Sequence, residues 1–138
     1  MTKVKRTYQP ITSKNIYQAY ELLLDRKLIS FPLTQEGRAK IEAIVANINN
    51  SYFGTEIYTT IEEKAVAYLY FLIKDHPFTD GNKRTAILIF EVICDINDLN
   101  PDFNNFKLDQ LAVFIEKIKD DNHQVIINSI SNILFKFE

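Results

Sequence analysis

Glycine and proline are scarce in this chain, three and four residues in 138. That disfavours a turn-rich all-β fold, which needs both residues at its corners. Cysteine is rarer still: Cys94 stands alone, so no intramolecular disulfide can form, and the usage suits a reducing cytoplasm. A basic excess is missing too. The formal net charge of −2 argues against general nucleic-acid binding, which needs a basic face. The longest apolar run, Ala86–Phe90, is far shorter than the ~20 residues of a membrane span, so no membrane partner is expected. Thr2–Pro10 is polar and basic, without the apolar centre of a secretory signal. There are no repeats and no low-complexity stretches. What remains is ordinary for a soluble globular protein, 46% hydrophobic and 25% charged. The length predicts one domain over residues 1–138, with a short N-terminal tail over about residues 1–10.

Periodicity predicts helices along most of the chain. Thr12 or Ser13 can cap a helix running to about Arg26, with Ile16, Tyr20, Leu23 and Leu24 as its apolar stripe. Thr34 caps a second, to about Asn49, and Thr60 with Glu63 forms a capping box for a third, to about Asp75. The stretch from about Asn82 to Asn97 is apolar on nearly every side and predicts the buried central helix. Two more follow, over Leu108–Ile118 and after Asp121 or Asn122; His123 reads as a solvated residue at that helix start. The fold class is all-α, about six helices. One stretch breaks the pattern. In Leu28–Leu33, Ile29, Phe31 and Leu33 alternate with Ser30 and Pro32, which is strand-like, and Pro32 restricts it to an edge. An exposed edge can accept a partner's main chain as an added strand; the plainer alternative is a connector with two buried side chains.

The chemistry concentrates in His76–Arg84, which reads HPFTDGNKR. Pro77 disfavours a helical conformation at His76, and Gly81 permits a sharp turn with positive φ. A helix starting at Asn82 points its unpaired N–H groups at the loop, where an anion belongs. Lys83 and Arg84 sit in that first turn, the wrong helix end for cations by ~0.3–1 kcal/mol each. A polyphosphate lying between them and the backbone amides relieves the misfit. Histidine exchanges a proton near neutral pH, which makes His76 the candidate base. Asp80 offers a hard oxygen ligand suited to Mg²⁺, which keeps several waters and binds substrate phosphate. Gly81 and Asn82 supply backbone N–H groups, and Asn82 an amide, around an anion. Lys83 is a point charge for phosphate and Arg84 a bidentate clamp. Together these describe transfer from a nucleoside polyphosphate to a hydroxyl, a reaction of positioning and charge stabilisation. The alternatives are plainer: His76 as a turn residue, and Asp80 with Arg84 as a surface ion pair at i,i+4. Phe78 is the structural anchor that pins the loop in the core.

His76-Pro77-Phe78-Thr79-Asp80-Gly81-Asn82-Lys83-Arg84 closely resembles the signature of the Fic/Doc (Fido) family, HPFx(D/E)GN(G/K)R. The resemblance implies a compact Fic-like helical bundle around the motif, and transfer of part of a nucleotide to a protein hydroxyl. It implies His76 as general base, Asp80 as Mg²⁺ ligand, Gly81 and Asn82 as anion hole, and Arg84 on the phosphates. Leu28–Leu33 looks like the family's flap, a short β-hairpin near residues 28–34 in which Ile29, Ser30 and Phe31 dock the target chain.

Two departures from the AMP-transferring members matter. Those usually have Gly where this chain has Lys83, and a second Arg where it has Ile87. Lys83-Arg84-Thr85-Ala86 is similar to the Doc, or death-on-curing, branch, associated with a reversed nucleotide and γ-phosphate transfer. Lys83 adds charge and bulk where Gly leaves only backbone, so phosphotransfer from ATP to Ser, Thr or Tyr of a protein substrate is favoured over AMP transfer (AMPylation). A catalytically silent module that binds nucleotide and partner is a further alternative, against which the intact His76 counts. The family's restraining motif, (S/T)xxxE(G/N), is not found: Thr59 and Glu63 have its spacing, but Lys64 follows. Restraint is therefore expected from a separate chain, such as an antitoxin.

Overall fold

The computed structural model describes residues 7–52, 55–119 and 122–135. Its order is α1 (Ser13–Asp25), α2 (Gln35–Asn49), β1 (Ser51–Tyr52), β2 (Thr55–Glu56), α3 (Ile61–Lys74), α4 (Asn82–Ile96), α5 (Leu108–Lys117) and α6 (His123–Leu134). Among the described residues the only sheet is the antiparallel pair β1–β2, two residues per strand. Polar side chains start most helices where expected. Thr12 caps α1 in a capping box with Asn15, Thr34 caps α2 through Gly37, and Thr60 caps α3 through Glu63. Each satisfies a backbone N–H that would otherwise lack a partner. None of the described helices is long and apolar enough to cross a membrane.

The centre of the bundle is α3, not the helix expected over residues 82–97. Every residue of α3 from Lys64 to Tyr70 is buried, and the helix packs against α2, α4, α5 and α6. By contrast α4 buries one side only, through Thr85, Ala86, Ile89, Phe90, Ile93 and Cys94. Val92 and Ile96 are exposed, and Leu88 is half-buried. Apolar composition shows that a helix can be covered on all sides; it does not say how many neighbours arrive. The buried ammonium of Lys64 explains how a charged residue enters α3: it donates to the Tyr58 carbonyl and lies over the Tyr8 ring.

The expected β-hairpin at residues 28–34 does not form; the segment is irregular. Its main-chain acceptors go to side chains instead of a partner strand. The Arg84 guanidinium donates to the Leu28 carbonyl, and the Tyr20 hydroxyl to the Phe31 carbonyl. Residues 28–33 therefore form a strap tied to α1 and α4. At the amino end, Tyr8 and Gln9 are held, Tyr8 by Asn49 and Gln9 by the Asn97 amide in both directions. Residues 1–6 of the expected tail lie outside the described residues.

Candidate active site

The motif loop, residues 75–81, joins the most buried helix to the start of α4, and close backbone packing fixes it on two sides. Gly81 adopts φ +79°, ψ +19°, a left-handed conformation that glycine takes without strain. A β-carbon there would meet Ile29 Cγ2 at 2.3 Å. On the other side, a β-carbon at Gly37 would meet the Pro77 carbonyl oxygen at 2.2 Å, so α2 lies directly against the loop. Phe78 is buried and stacks on Tyr20, ring centroids 4.3 Å apart and planes 8° from parallel. Burial first, and then the nearby charge of Asp80, push the Tyr20 hydroxyl above its ordinary pKa. His76 has φ +47°, a left-handed conformation that costs a non-glycine residue ~1–2 kcal/mol and is tolerated here inside an over-determined loop.

Asn82 does not present its side chain to an anion. The amide closes the loop on itself: Oδ1 accepts from the Phe78 N–H at 3.0 Å and Nδ2 donates to the Phe78 carbonyl at 2.9 Å. What Asn82 offers a ligand is its backbone N–H. No side chain caps α4, whose N-cap is Gly81. The first-turn N–H groups of Asn82, Lys83 and Arg84 therefore have no acceptor within the helix, and they open toward the loop. A cleft of about 320 Å³ lies at this helix end, lined by Thr79, Asp80, Gly81, Asn82, Lys83, Arg84 and Glu116. His76 is not among its lining residues. It lines an adjoining hollow of about 190 Å³ with Thr34, Glu36, Gly37, Lys40, Pro77, Phe78 and Thr79. Thr79 borders both.

The charged side chains of the cleft have unequal commitments. Lys83 Nζ donates to both carboxylate oxygens of Glu116, at 2.9 and 3.2 Å. That hydrogen bond, with the lysine's charge behind it, holds Glu116 below the ordinary glutamate pKa. Arg84 reaches back to the strap, so the surface pair of Asp80 with Arg84 does not form. Asp80 has no ion-pair partner among the described residues. A single uncommitted carboxylate beside an anion cradle fits Mg²⁺, a cation usually held by one or two carboxylates together with substrate phosphates. No cluster of three or more His, Cys, Asp or Glu side chains is found among the described residues, so an all-protein metal cage is not what the site offers.

Of the expected docking residues, Ile29 is buried on Gly81, whereas Ser30 and Phe31 are exposed. The main-chain groups of Ile29 and Ser30 make no hydrogen bond among the described residues. Glu116, Tyr20 and Gly37 escaped sequence reasoning. Nothing in the sequence places the end of α5 beside Lys83, and Tyr20 reads simply as a core aromatic. Gly37 carried a usable signal, since a glycine in the first turn of a helix asks what packs there. His123, expected to be solvated, is exposed but engaged: Nδ1 lies 2.5 Å from the Tyr70 hydroxyl, and its ring packs edge-on to Tyr70 and Phe71.

A family model described as Fic/DOC family matches residues 9–94, which takes in α1 through most of α4 and the whole loop. No curated protein and no solved structure matches the chain.

Proposed function

This chain belongs to the Fic/DOC family, and from that premise we propose that it transfers the γ-phosphoryl group of ATP to a Ser, Thr or Tyr hydroxyl of a protein substrate. Membership points in general to nucleotide-dependent protein modification by a transferase. The observation that carries the finer reading is the cleft at the uncapped start of α4, with the Lys83 side chain in its wall. The phosphates sit on the backbone N–H groups of Gly81, Asn82 and Lys83, with the Lys83 ammonium and, once it leaves the strap, the Arg84 guanidinium on their oxygens. Asp80 would hold Mg²⁺, which when bound neutralises charge on the phosphates. His76, from the adjoining hollow, takes the proton of the acceptor hydroxyl as that oxygen attacks. The target's main chain adds along Ile29 and Ser30, whose N–H and C=O groups make no hydrogen bond among the described residues. Restraint comes from a separate chain, as an antitoxin would supply.

Lys83 favours phosphotransfer over AMP transfer: its stem fills space that a glycine would leave open, and its charge belongs beside the terminal phosphates. The test is to incubate lysate, the protein and Mg²⁺ with ATP labelled on either the α- or the γ-phosphate. The γ label is expected on protein. Delivery of the α label assigns AMP transfer to the same site. Delivery of neither, with ATP bound, assigns a silent binding module.

A further inference from the structure

We propose that Glu116 is an internal competitor for the phosphate subsite, holding Lys83 in the ligand-free protein and releasing it when a polyphosphate enters. The inference rests on reading the cleft as a phosphate site. Glu116 lies on α5, outside the motif and outside the matched segment. It nevertheless lines the same cleft as Asp80, Lys83 and Arg84.

Three observations carry it. The carboxylate takes two hydrogen bonds from the Lys83 ammonium, at 2.9 and 3.2 Å, and so stands where a phosphate oxygen would stand. Both partners sit at the helix end that suits them least: Lys83 in the first turn of α4, Glu116 in the last turn of α5. A cation is disfavoured at the first and an anion at the second, so each relieves the other's misfit. Finally the pair is exchangeable. Its side chains are 41% and 37% exposed, and Glu116 makes no other hydrogen bond among the described residues. An exposed pair of this kind holds weakly, so a multiply charged anion backed by the α4 amides displaces it, whereas a weakly charged one competes poorly. Glu116 thus raises the threshold for occupying the cleft and favours polyphosphates over small anions.

The experiment is calorimetric titration of ATP with Mg²⁺ in excess into wild type, E116Q, K83M and the double variant. E116Q keeps the size of the side chain and removes its charge. We expect E116Q to bind ATP about 1.5- to fivefold more tightly, the factor an exposed ion pair is worth, K83M to bind more weakly, and E116Q to have no effect in the K83M background. Weaker or unchanged binding by E116Q overturns the proposal and makes Glu116 a positioner of Lys83 or a bystander. Equal tightening in both backgrounds also overturns it, because Glu116 then acts through the general field of the cleft. If wild type and all variants fail to bind ATP, the phosphate reading of the cleft falls and takes this inference with it.

Discussion

Gly81→Ala tests how the strap and the motif loop depend on each other. Two penalties act at this position. Alanine at φ +79° pays the left-handed strain, ~1–2 kcal/mol. Its β-carbon would also lie 2.3 Å from Ile29 Cγ2, an overpacked contact of the kind that costs ~1–3 kcal/mol when the surroundings give way. The expected loss is ~2–5 kcal/mol, a large part of the ~5–15 kcal/mol that holds a domain together. The two terms can be separated. Leucine at position 29 keeps the volume but has no Cγ2, which leaves Ile29 Cβ, at 3.3 Å, as the nearest atom: still a tight contact, but one relieved by a shift of a few tenths of an ångström. Ile29→Leu alone should cost under ~1.5 kcal/mol. In its background the cost of Gly81→Ala should fall toward the strain term, giving a coupling of up to ~1–3 kcal/mol in a double-mutant cycle. Urea unfolding of the four proteins reads this directly, and hydrogen exchange at residues 28–33 should rise in Gly81→Ala and fall back in the double variant. A Gly81→Ala cost below ~0.5 kcal/mol, or no recovery with leucine, would refute the claim that Ile29 seals the loop.

His76→Asn should lower transfer by ~10²–10⁴-fold while ATP affinity stays within about twofold, because a base acts on the acceptor, and asparagine tolerates the left-handed backbone at this position; full activity removes His76 from the mechanism. Asp80→Asn should raise the Mg²⁺ concentration needed for nucleotide binding by about tenfold or more, scaled on a charge-assisted contact of ~1.5–3 kcal/mol; an unchanged Mg²⁺ midpoint makes Asp80 a bystander. Cys94 is buried, and burial, followed by the charges of Glu91 and Glu62, pushes its thiol up to about 12. The unfolded chain therefore loses this proton first, at ~8.5, so the thiol's contribution to stability is intact below that pH and is lost between there and about 12. Thiol labelling at pH 8 should be slow in the native protein and fast in denaturant; equal rates would show that Cys94 is accessible.

Helix starts were legible because each rests on a few adjacent residues. Thr34 and Thr60 cap the helices expected of them, and of the two candidates Thr12 and Ser13 it is Thr12 that caps α1. The loop was legible for the same reason, since Pro77, Gly81 and the apolar run behind them are contiguous. What was not legible is anything decided by a second element. The centre of the bundle moved from α4 to α3 because three further helices pack on α3, a matter of topology that no local pattern encodes. The alternation in Leu28–Leu33 puts Ile29, Phe31 and Leu33 on one face, yet only Ile29 is buried and Phe31 is exposed; a strand needs a partner, and here Arg84 and Tyr20 take acceptors that a partner would use. The sequence offers both the backbone N–H and the amide of Asn82 to an anion, but the amide is used by Phe78, four residues back.

The strap links the two halves of the proposed reaction. Its Leu28 carbonyl holds Arg84, its Ile29 side chain covers Gly81, and its Phe31 carbonyl holds the Tyr20 that stacks on Phe78. A target chain adding along Ile29 and Ser30 would pull on a segment already bonded to Arg84 in the wall of the cleft. Conversely, a phosphate that draws Arg84 away frees the Leu28 carbonyl, one residue from the docking edge. A newly freed main-chain acceptor at that edge lengthens the ladder available to an incoming strand. On the proposed reading, nucleotide and target binding would be coupled in the favourable sense through one guanidinium, and by linkage each would strengthen the other.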